Sequence, residues 1–458
     1  VPFPAHFPVR REAARPHRTA RLKMAQKNIL LNDFSEDYTS DLRHYLDDDI
    51  NIKVWIGRKK NKVTTLPRED FYRSLLFRKN RLKVNYRYRR EFLEIYPEVR
   101  KHADTFLNMY CRRPVLYGGN DAIDMMDAFH VYIHFFIDLL KSNDIRHVFF
   151  EVIPHHADYL LYLVAKALNI KTWMFYSAPA PGKSFVTSDI ENIGSLDTGG
   201  AEIEPVRLER NYRKKYYYMD RKVRTNLPVK LVSAAFFRRD LNLFLHRLQA
   251  LARNARFKRN YRQFVAPPPA GKFVYFALHL QPELTTTSLG GVFVDQVLAL
   301  ECLRALLPDD WFIVAKENPH QTWHSRGRLF YARLQKIPNL RYVGKETDTY
   351  DLVEQCEFAA TVSGSVGLDA LSFGKRVLIF GNAFYKGFPG VVAWRPGLTP
   401  EEIIAAPFSH EAFERAHAQL LHNTVDAVTD TDYKHLVKDF SNEKNGRALA
   451  GIINALTR

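Results

Sequence analysis

Sulfur is scarce in this chain, and what there is forms no pattern. Cys111, Cys302 and Cys356 lie far apart with no CxxC or other ligand spacing, which excludes a disulfide scaffold and a zinc ribbon. A reducing cytoplasm suits such a chain. Long apolar runs are also missing. The most apolar helical stretch, residues 128–140, is interrupted by His130, His134 and Asp138, far from the roughly 20 apolar residues that a spanning helix needs. A soluble or peripheral protein is expected. Residues 1–23 lack the apolar segment of a secretory signal and carry Arg10, Arg11, Arg15, Arg18, Arg21 and Lys23 against Glu12. Met24, followed directly by a strand-like run, is a candidate start.

Positive charge is what the chain has in excess, at a formal +17, and it is unevenly placed. Residues 58–113 hold 17 Lys/Arg against 6 Asp/Glu, and residues 205–263 hold 17 against 3. Localised basicity is an electrostatic footprint for an anion: a lipid headgroup surface, a phosphorylated acceptor or a nucleic acid. No RNP, KH, zinc-finger or basic-zipper pattern accompanies it, so nucleic acid is not the expected partner.

Short apolar runs alternate with amphipathic stretches, the βαβ signature of parallel sheets covered by helices. Residues 28–31, 52–56, 147–152 and 171–176 predict strands of a first half, with helices over 121–141 and 157–168. A basic, aromatic-rich helical region is expected over 68–106, and a second interrupts the alternation at 205–263. The proline run at 266–270 marks a domain boundary. Beyond it, strands are predicted at 273–278, 311–316, 340–343, 358–362 and 376–380, and helices at 292–306, 326–336, 349–355 and 366–373. After residue 399 only helical patterns remain. The division expected is a basic tail at 1–24, a Rossmann-like domain at 25–265 with basic helical insertions, and a second Rossmann-like domain at 266–458 with closing helices; the resemblance drawn below implies acceptor binding for the first and nucleotide-sugar binding for the second. Two doubly wound sheets facing across a cleft, the GT-B-like α/β class, follow from this order.

Ligands of such sheets bind outside the carboxyl ends of the strands, so residues there are the candidates. Thr361 to Leu371 reads Thr-Val-Ser-Gly-Ser-Val-Gly-Leu-Asp-Ala-Leu, a buried strand running through small residues into a helix. Amides and hydroxyls of Ser363, Gly364 and Ser365 are expected to face a phosphate, with Gly367 behind them and Asp369 reaching a ribose hydroxyl. Lys316, ending a strand just before Glu317-Asn318-Pro319-His320, is placed to neutralise a departing nucleoside phosphate. His279, Gln281 and Glu283 follow the first strand of the second half and supply an imidazole, an amide and a carboxylate as donor-sugar ligands, base or nucleophile. At the end of a strand in the first half, Glu151 and His155 are candidates to activate an acceptor hydroxyl. Metal chemistry has no candidate: Asp430-Thr431-Asp432 sits among late helices, and Pro319 spoils the register of Glu317, His320 and His324.

Lys316-Glu317-Asn318-Pro319, then Ile337-Pro338-Asn339, the run from Thr361 to Leu371 and that from Gly374 to Gly381 resemble, in order and spacing, the capsular polysaccharide biosynthesis family. That family includes Kdo-transferase-like glycosyltransferases of bacterial surface glycans. Gln281-Pro282-Glu283 and the stretch from Phe384 to Val391 belong to the likeness, which covers residues 273–394. Where the family usually carries His-Pro, this chain has Asn318-Pro319, whose amide can still donate to a phosphate oxygen. Aspartate at 369 stands where the family favours glutamate.

The resemblance implies a metal-independent glycosyltransferase that moves a sugar from a nucleotide donor, CMP-Kdo among them, to a surface polysaccharide or its lipid-linked starter. Glu283 and Lys316 would do the chemistry, with Glu151 added from its place at the strand end of the first half, outside the likeness. His279, Gln281, Lys316, Asn318, Pro319, Ser363, Gly364, Ser365, Gly367 and Asp369 would hold the donor, and His155 the acceptor. No cofactor beyond the donor is implied. The setting is the cytoplasmic face of the inner membrane, with the basic segments at an anionic surface. A catalytically silent relative in polysaccharide assembly or export, and a sugar-nucleotide epimerase, are the alternatives.

Overall fold

Residues 26–34, 42–57, 66–67, 84–111, 122–151, 153, 155–211, 213, 252, 255, 259, 261–281, 287–321, 326, 329–429 and 433–458 are described by the computed structural model. The tail at 1–24, Glu283 and Asp430-Thr431-Asp432 lie outside them, as do residues 68–83 and most of 214–260 in the basic segments.

The first half runs β1 (Lys27–Asn32), α1 (Leu42–Tyr45), β2 (Ile50–Gly57), β3 (Leu66–Pro67), α2 (Arg89–Arg100), α3 (Ala103–Cys111), α4 (Ala122–Ser142), β4 (Ile145–Phe150), α5 (His156–Ala167), β5 (Lys171–Ser177) and β6 (Lys183–Thr187). The second runs β7 (Phe273–Ala277), α6 (Gln296–Leu306), β8 (Phe312–Lys316), α7 (Phe330–Leu334), β9 (Leu340–Val343), α8 (Thr349–Gln355), β10 (Ala359–Thr361), α9 (Val366–Ser372), β11 (Val377–Ile379) and β12 (Val391–Ala393). Four further elements close the chain: α10 (Pro400–Ile404), α11 (His410–His422), β13 (Val425–Asp426) and α12 (Asn442–Leu456). Central strands read as near-continuous apolar runs because helices cover both faces: Val148, Phe149 and Phe150 of β4 and Val274 and Phe276 of β7 are all fully buried.

Among the described residues, β13-β6-β5-β4-β1-β2-β3 form one sheet and β12-β11-β10-β7-β8-β9 the other. Numbered from the first strand of each half, both sheets follow the Rossmann order 3-2-1-4-5-6, so the chain carries the same doubly wound unit twice. This is a GT-B-like α/β architecture. The order fixes where each sheet reverses direction. In the first sheet that point lies between β1 and β4; in the second, between β7 and β10.

Several local expectations were altered by tertiary contacts. β6 pairs antiparallel with both β5 and β13, so the chain after residue 399 is not purely helical. β13 and α12 return to the first sheet: Leu449, Ala450 and Ile453 pack with Ile29, Leu31, Phe149 and Phe175. Asn454 ties α12 to the end of α1, accepting from Asp47 N at 3.0 Å and donating to Tyr45 O at 3.1 Å. The helix expected over 292–306 begins with a 3₁₀ turn and then restarts at α6. Asp295 caps that start by accepting from Val297 N at 3.1 Å. The basic helical region breaks at Lys101 and His102, between α2 and α3.

The two halves touch through Phe384, whose ring lies 5.8 Å from Phe185 and 6.4 Å from Tyr176. Gly194, at φ +80, passes so close to the Phe384 carbonyl that a Cβ there has no room. Residues beyond it run along the second half: Leu208 N donates to Glu414 Oε1 at 3.0 Å, and Arg213 pairs with Asp351 at 2.8 Å and Glu354 at 3.2 Å.

Asn445 anchors the returning chain through both atoms of its amide, accepting from Val428 N at 2.7 Å and donating to Val428 O at 2.8 Å in a buried setting. Asn445→Ala strands two backbone groups, and a loss of about 2 kcal/mol or more is expected from the shift in urea-unfolding midpoint.

Candidate functional site at the carboxyl edge of the second sheet

Loops after β7, β8 and β10 leave the same edge of one parallel sheet, and hydrogen bonds knit them together. Leu278 N donates to Lys316 O at 2.9 Å, continuing the ladder between the first two. His279 joins the first loop to the third: its Nε2 lies 2.6 Å from Thr361 Oγ1 and receives Ser363 N at 3.4 Å. Gly364 N donates to that same Thr361 oxygen at 3.2 Å. The Thr361 hydroxyl therefore gives its proton to Nε2 while accepting the Gly364 amide, which assigns the ring proton to Nδ1. At the topological switch point, the imidazole is a strut.

His279 is itself immobilised. Gln296 grips its backbone at both ends, accepting from His279 N at 2.8 Å and donating to His279 O at 3.2 Å. Burial, helped by the nearby Arg326 charge, holds the imidazole pKa down from 6.5 to about 3, so the ring is neutral.

Arg326, without water contact, is the hub of the surrounding network. Its guanidinium forks onto the buried Glu317 carboxylate and donates through Nη1 to Gln281 Oε1 at 2.7 Å and through Nη2 to His279 O at 3.2 Å. Tyr342 donates to the other face of that pair, onto Glu317 Oε2 at 3.0 Å, and the Phe330 ring lies 4.5 Å from the guanidinium carbon. Gln281 N donates to Gln321 Oε1 at 2.8 Å and Gln281 Nε2 to Val294 O at 2.6 Å. A helix was expected to begin at Arg326. Its inward turn delays α7 to Phe330.

Lys316 is buried at the end of β8, and its ammonium donates to Thr349 Oγ1, at the start of α8, at 2.7 Å. Burial lowers its pKa, while Asp348 and Glu346 push it back up. Asn318 closes the next turn by accepting from His320 N at 2.9 Å, and exposed Pro319 offers its carbonyl to Lys345 Nζ at 3.3 Å.

The loop after β10 differs from expectation. Amides of Ser363 and Gly364 were expected to face outward, yet both turn inward, one to His279 and the other to Thr361. The acceptors lie inside, and the turn is tight: the His279 ring stands 2.9 Å from where a Gly364 Cβ would be, so a side chain there would force the ring to shift. Ser363 is buried and Ser365 is exposed at the start of α9. Gly367 is buried against the Tyr385 ring, whose hydroxyl donates to Gly364 O, and Asp369 sits half-buried one turn into α9.

The switch point of the first sheet collects buried polar groups. Glu151 follows β4 and donates its backbone N–H to Asn32 O at 3.1 Å. Asn32 donates its side-chain amide to the buried Asp158 of α5 at 3.1 Å, and Asp33 is buried beside it at φ 66. His155 stands at the N-cap position of α5. The sequence alone assigns no role at the site to Thr361, although it opens the motif, nor to Gln296, Arg326, Asn32, Asp33 or Asp158. Asn32 and Asp33 carried a signal, a polar pair directly after a predicted strand; Arg326 carried none.

These features define a GT-B-like α/β protein with candidate sites at two switch points. No family model matches the chain, and no curated protein matches it. Solved structures do resemble it. The beta Kdo 2,7 transferase of Thermosulfurimonas dismutans KpsC aligns at 14% identity and a TM-score of 0.33, covering 69% of this chain and 89% of that one. The beta Kdo 2,4 transferase of the same KpsC aligns at 14% and 0.31, covering 61% and 85%. The UDP-GlcNAc 2-epimerase of Neisseria meningitidis, bound to UDP-GlcNAc, aligns at 10% and 0.23, covering 94% and 99%. None of these likenesses assigns a reaction to the chain.

Glu317→Ala leaves the Arg326 charge buried without its partner, and a destabilisation of about 3–5 kcal/mol is expected by urea unfolding. Replacing both residues with methionine should recover much of that loss. A second expectation concerns acid. Between pH 6.5 and about 3 the unfolded chain holds a proton on His279 that the folded chain refuses, so this residue costs stability progressively as the pH falls through that window. His279→Gln should flatten the pH dependence of the unfolding midpoint there and leave its slope above neutrality unchanged.

Proposed function

We propose that the chain is a glycosyltransferase of the GT-B type that moves a sugar from a nucleotide donor to a surface polysaccharide acceptor or its lipid-linked starter, without a metal ion. One observation carries this reading: the Rossmann order of the second sheet brings the loops of His279, Lys316 and Ser363 to one carboxyl edge, joined by hydrogen bonds across the switch point. Such an edge suits a phosphorylated ligand. An ammonium carries three donors, of which Thr349 takes one from Lys316, so the lysine is equipped to meet charge as it develops on a leaving phosphate. Exposed Ser365 adds a hydroxyl at the mouth of the same loop.

In the transfer, the acceptor oxygen bonds to the anomeric carbon as the bond from that carbon to the donor phosphate breaks, and the acceptor hydroxyl proton passes to a carboxylate. Glu151, with His155 on the acceptor side, serves as base, and Glu283 is either the base of this single displacement or, in a double displacement, the nucleophile that first expels the donor phosphate and is then displaced by the acceptor oxygen. CMP-Kdo is the first donor to test, because the motif resemblance points to acidic surface-glycan sugars. A cytoplasmic enzyme held at an anionic inner-membrane surface by the basic segments fits the charge of residues 58–113 and 205–263.

Purified protein incubated with a panel of nucleotide sugars, with and without acceptor glycan, decides the class. Nucleotide release that requires acceptor and continues in EDTA is the expected result, and Lys316→Ala should lower its rate by about 10²-fold. Turnover without acceptor indicates an epimerase, binding without turnover a silent relative, and loss of activity on chelation contradicts the metal-free mechanism.

A further inference from the structure

The imidazole at the second switch point does something other than touch a ligand. We propose that His279 is a positioning residue: a fixed hydrogen-bond acceptor that sets the backbone of the loop from Val362 to Ser365, so that the exposed Ser365 hydroxyl at the end of that loop is held in one place at the sheet edge. This deepens the glycosyltransferase reading and rests on it for the identity of the ligand, though not for the geometry.

Three observations support it. His279 is 7% exposed, and its Nε2 is turned toward Thr361 and Ser363 at 2.6 and 3.4 Å, away from solvent. Its own backbone is clamped by Gln296 at both N–H and carbonyl, and its carbonyl is held again by Arg326, so the strut has a rigid base. The neighbouring loop is shaped around the ring, since a Cβ on Gly364 would force the ring to shift. A side chain that only filled space would not need an acceptor aimed at two donors. Thr361 extends the device by one step, passing the constraint from the imidazole to the Gly364 amide through a single hydroxyl.

The contact chemistry predicts which replacements work. Glutamine can place an acceptor where Nε2 stands, whereas leucine fills similar space without one. In His279→Leu, amide hydrogen exchange at Ser363 and Gly364, measured on the ligand-free protein, should accelerate about tenfold, the scale of one lost hydrogen bond, and His279→Gln should restore most of the protection. In the nucleotide-release assay the leucine variant should raise the donor KM by about tenfold while changing kcat less, again with recovery in the glutamine variant. Should His279→Leu fail to fold, Thr361→Val keeps the shape, removes the same hydroxyl link and should loosen the Gly364 amide alike. A folded His279→Leu protein with unchanged exchange at both amides, or a folded Thr361→Val protein with unchanged exchange at Gly364, overturns the proposal. So does a glutamine variant no better than leucine. If the wild-type protein neither binds nor turns over any nucleotide sugar, the functional reading fails, and the exchange measurement still decides the positioning role.

Discussion

A guanidinium taken wholly out of water must find its counter-charge and its acceptors inside the protein, and Arg326 does so by joining two loops. Glu317 after β8 supplies the charge; Gln281 and His279 after β7 supply neutral acceptors. Because a buried arginine tolerates few arrangements, these loops have little freedom relative to one another. His279 then transmits that order across the switch point to β10 and α9. Rigidity at the edge of the second sheet thus begins with one desolvated ion pair and ends at the residues that open to solvent at Ser365.

Repetition organises the rest. Both halves wind their strands in the same order, so each has a reversal point where two loops diverge. The first gathers Asn32, Asp33, Glu151 and Asp158, rich in carboxylates; the second gathers an ammonium, a neutral imidazole and hydroxyls. At the second edge the buried carboxylate, Glu317, is already matched by Arg326. Phe384 against Phe185 and Tyr176, with Gly194 passing the Phe384 carbonyl, brings the halves into direct contact.

Much of this was legible in the sequence wherever a local pattern carried it. β7 and β8 are largely apolar runs that lie within one residue of where they were expected, whereas β4, which opens on Ile145-Arg146-His147, begins and ends two residues before its expected span. Lys316, Ser363 and His279 could be picked out because each closely follows such a run. Long-range contacts were not legible. β13 has two residues, no periodicity, and exists because β6 offers an edge. Arg326 reads as the start of an amphipathic helix, and Glu317, Gln281 and the His279 carbonyl turn it inward. The direction of the Ser363 amide was likewise decided by a ring 84 residues away in the chain.

The central claim is that a phosphorylated sugar carrier seats its negative charge at the carboxyl edge of the second sheet. Diffraction from crystals soaked with CMP or UDP tests it most directly. The account predicts phosphate density bounded by Lys316 and the start of α9 near Ser365, with the His279 ring unmoved beneath it. Ordered nucleotide at the first sheet, or at any site away from that edge, contradicts it.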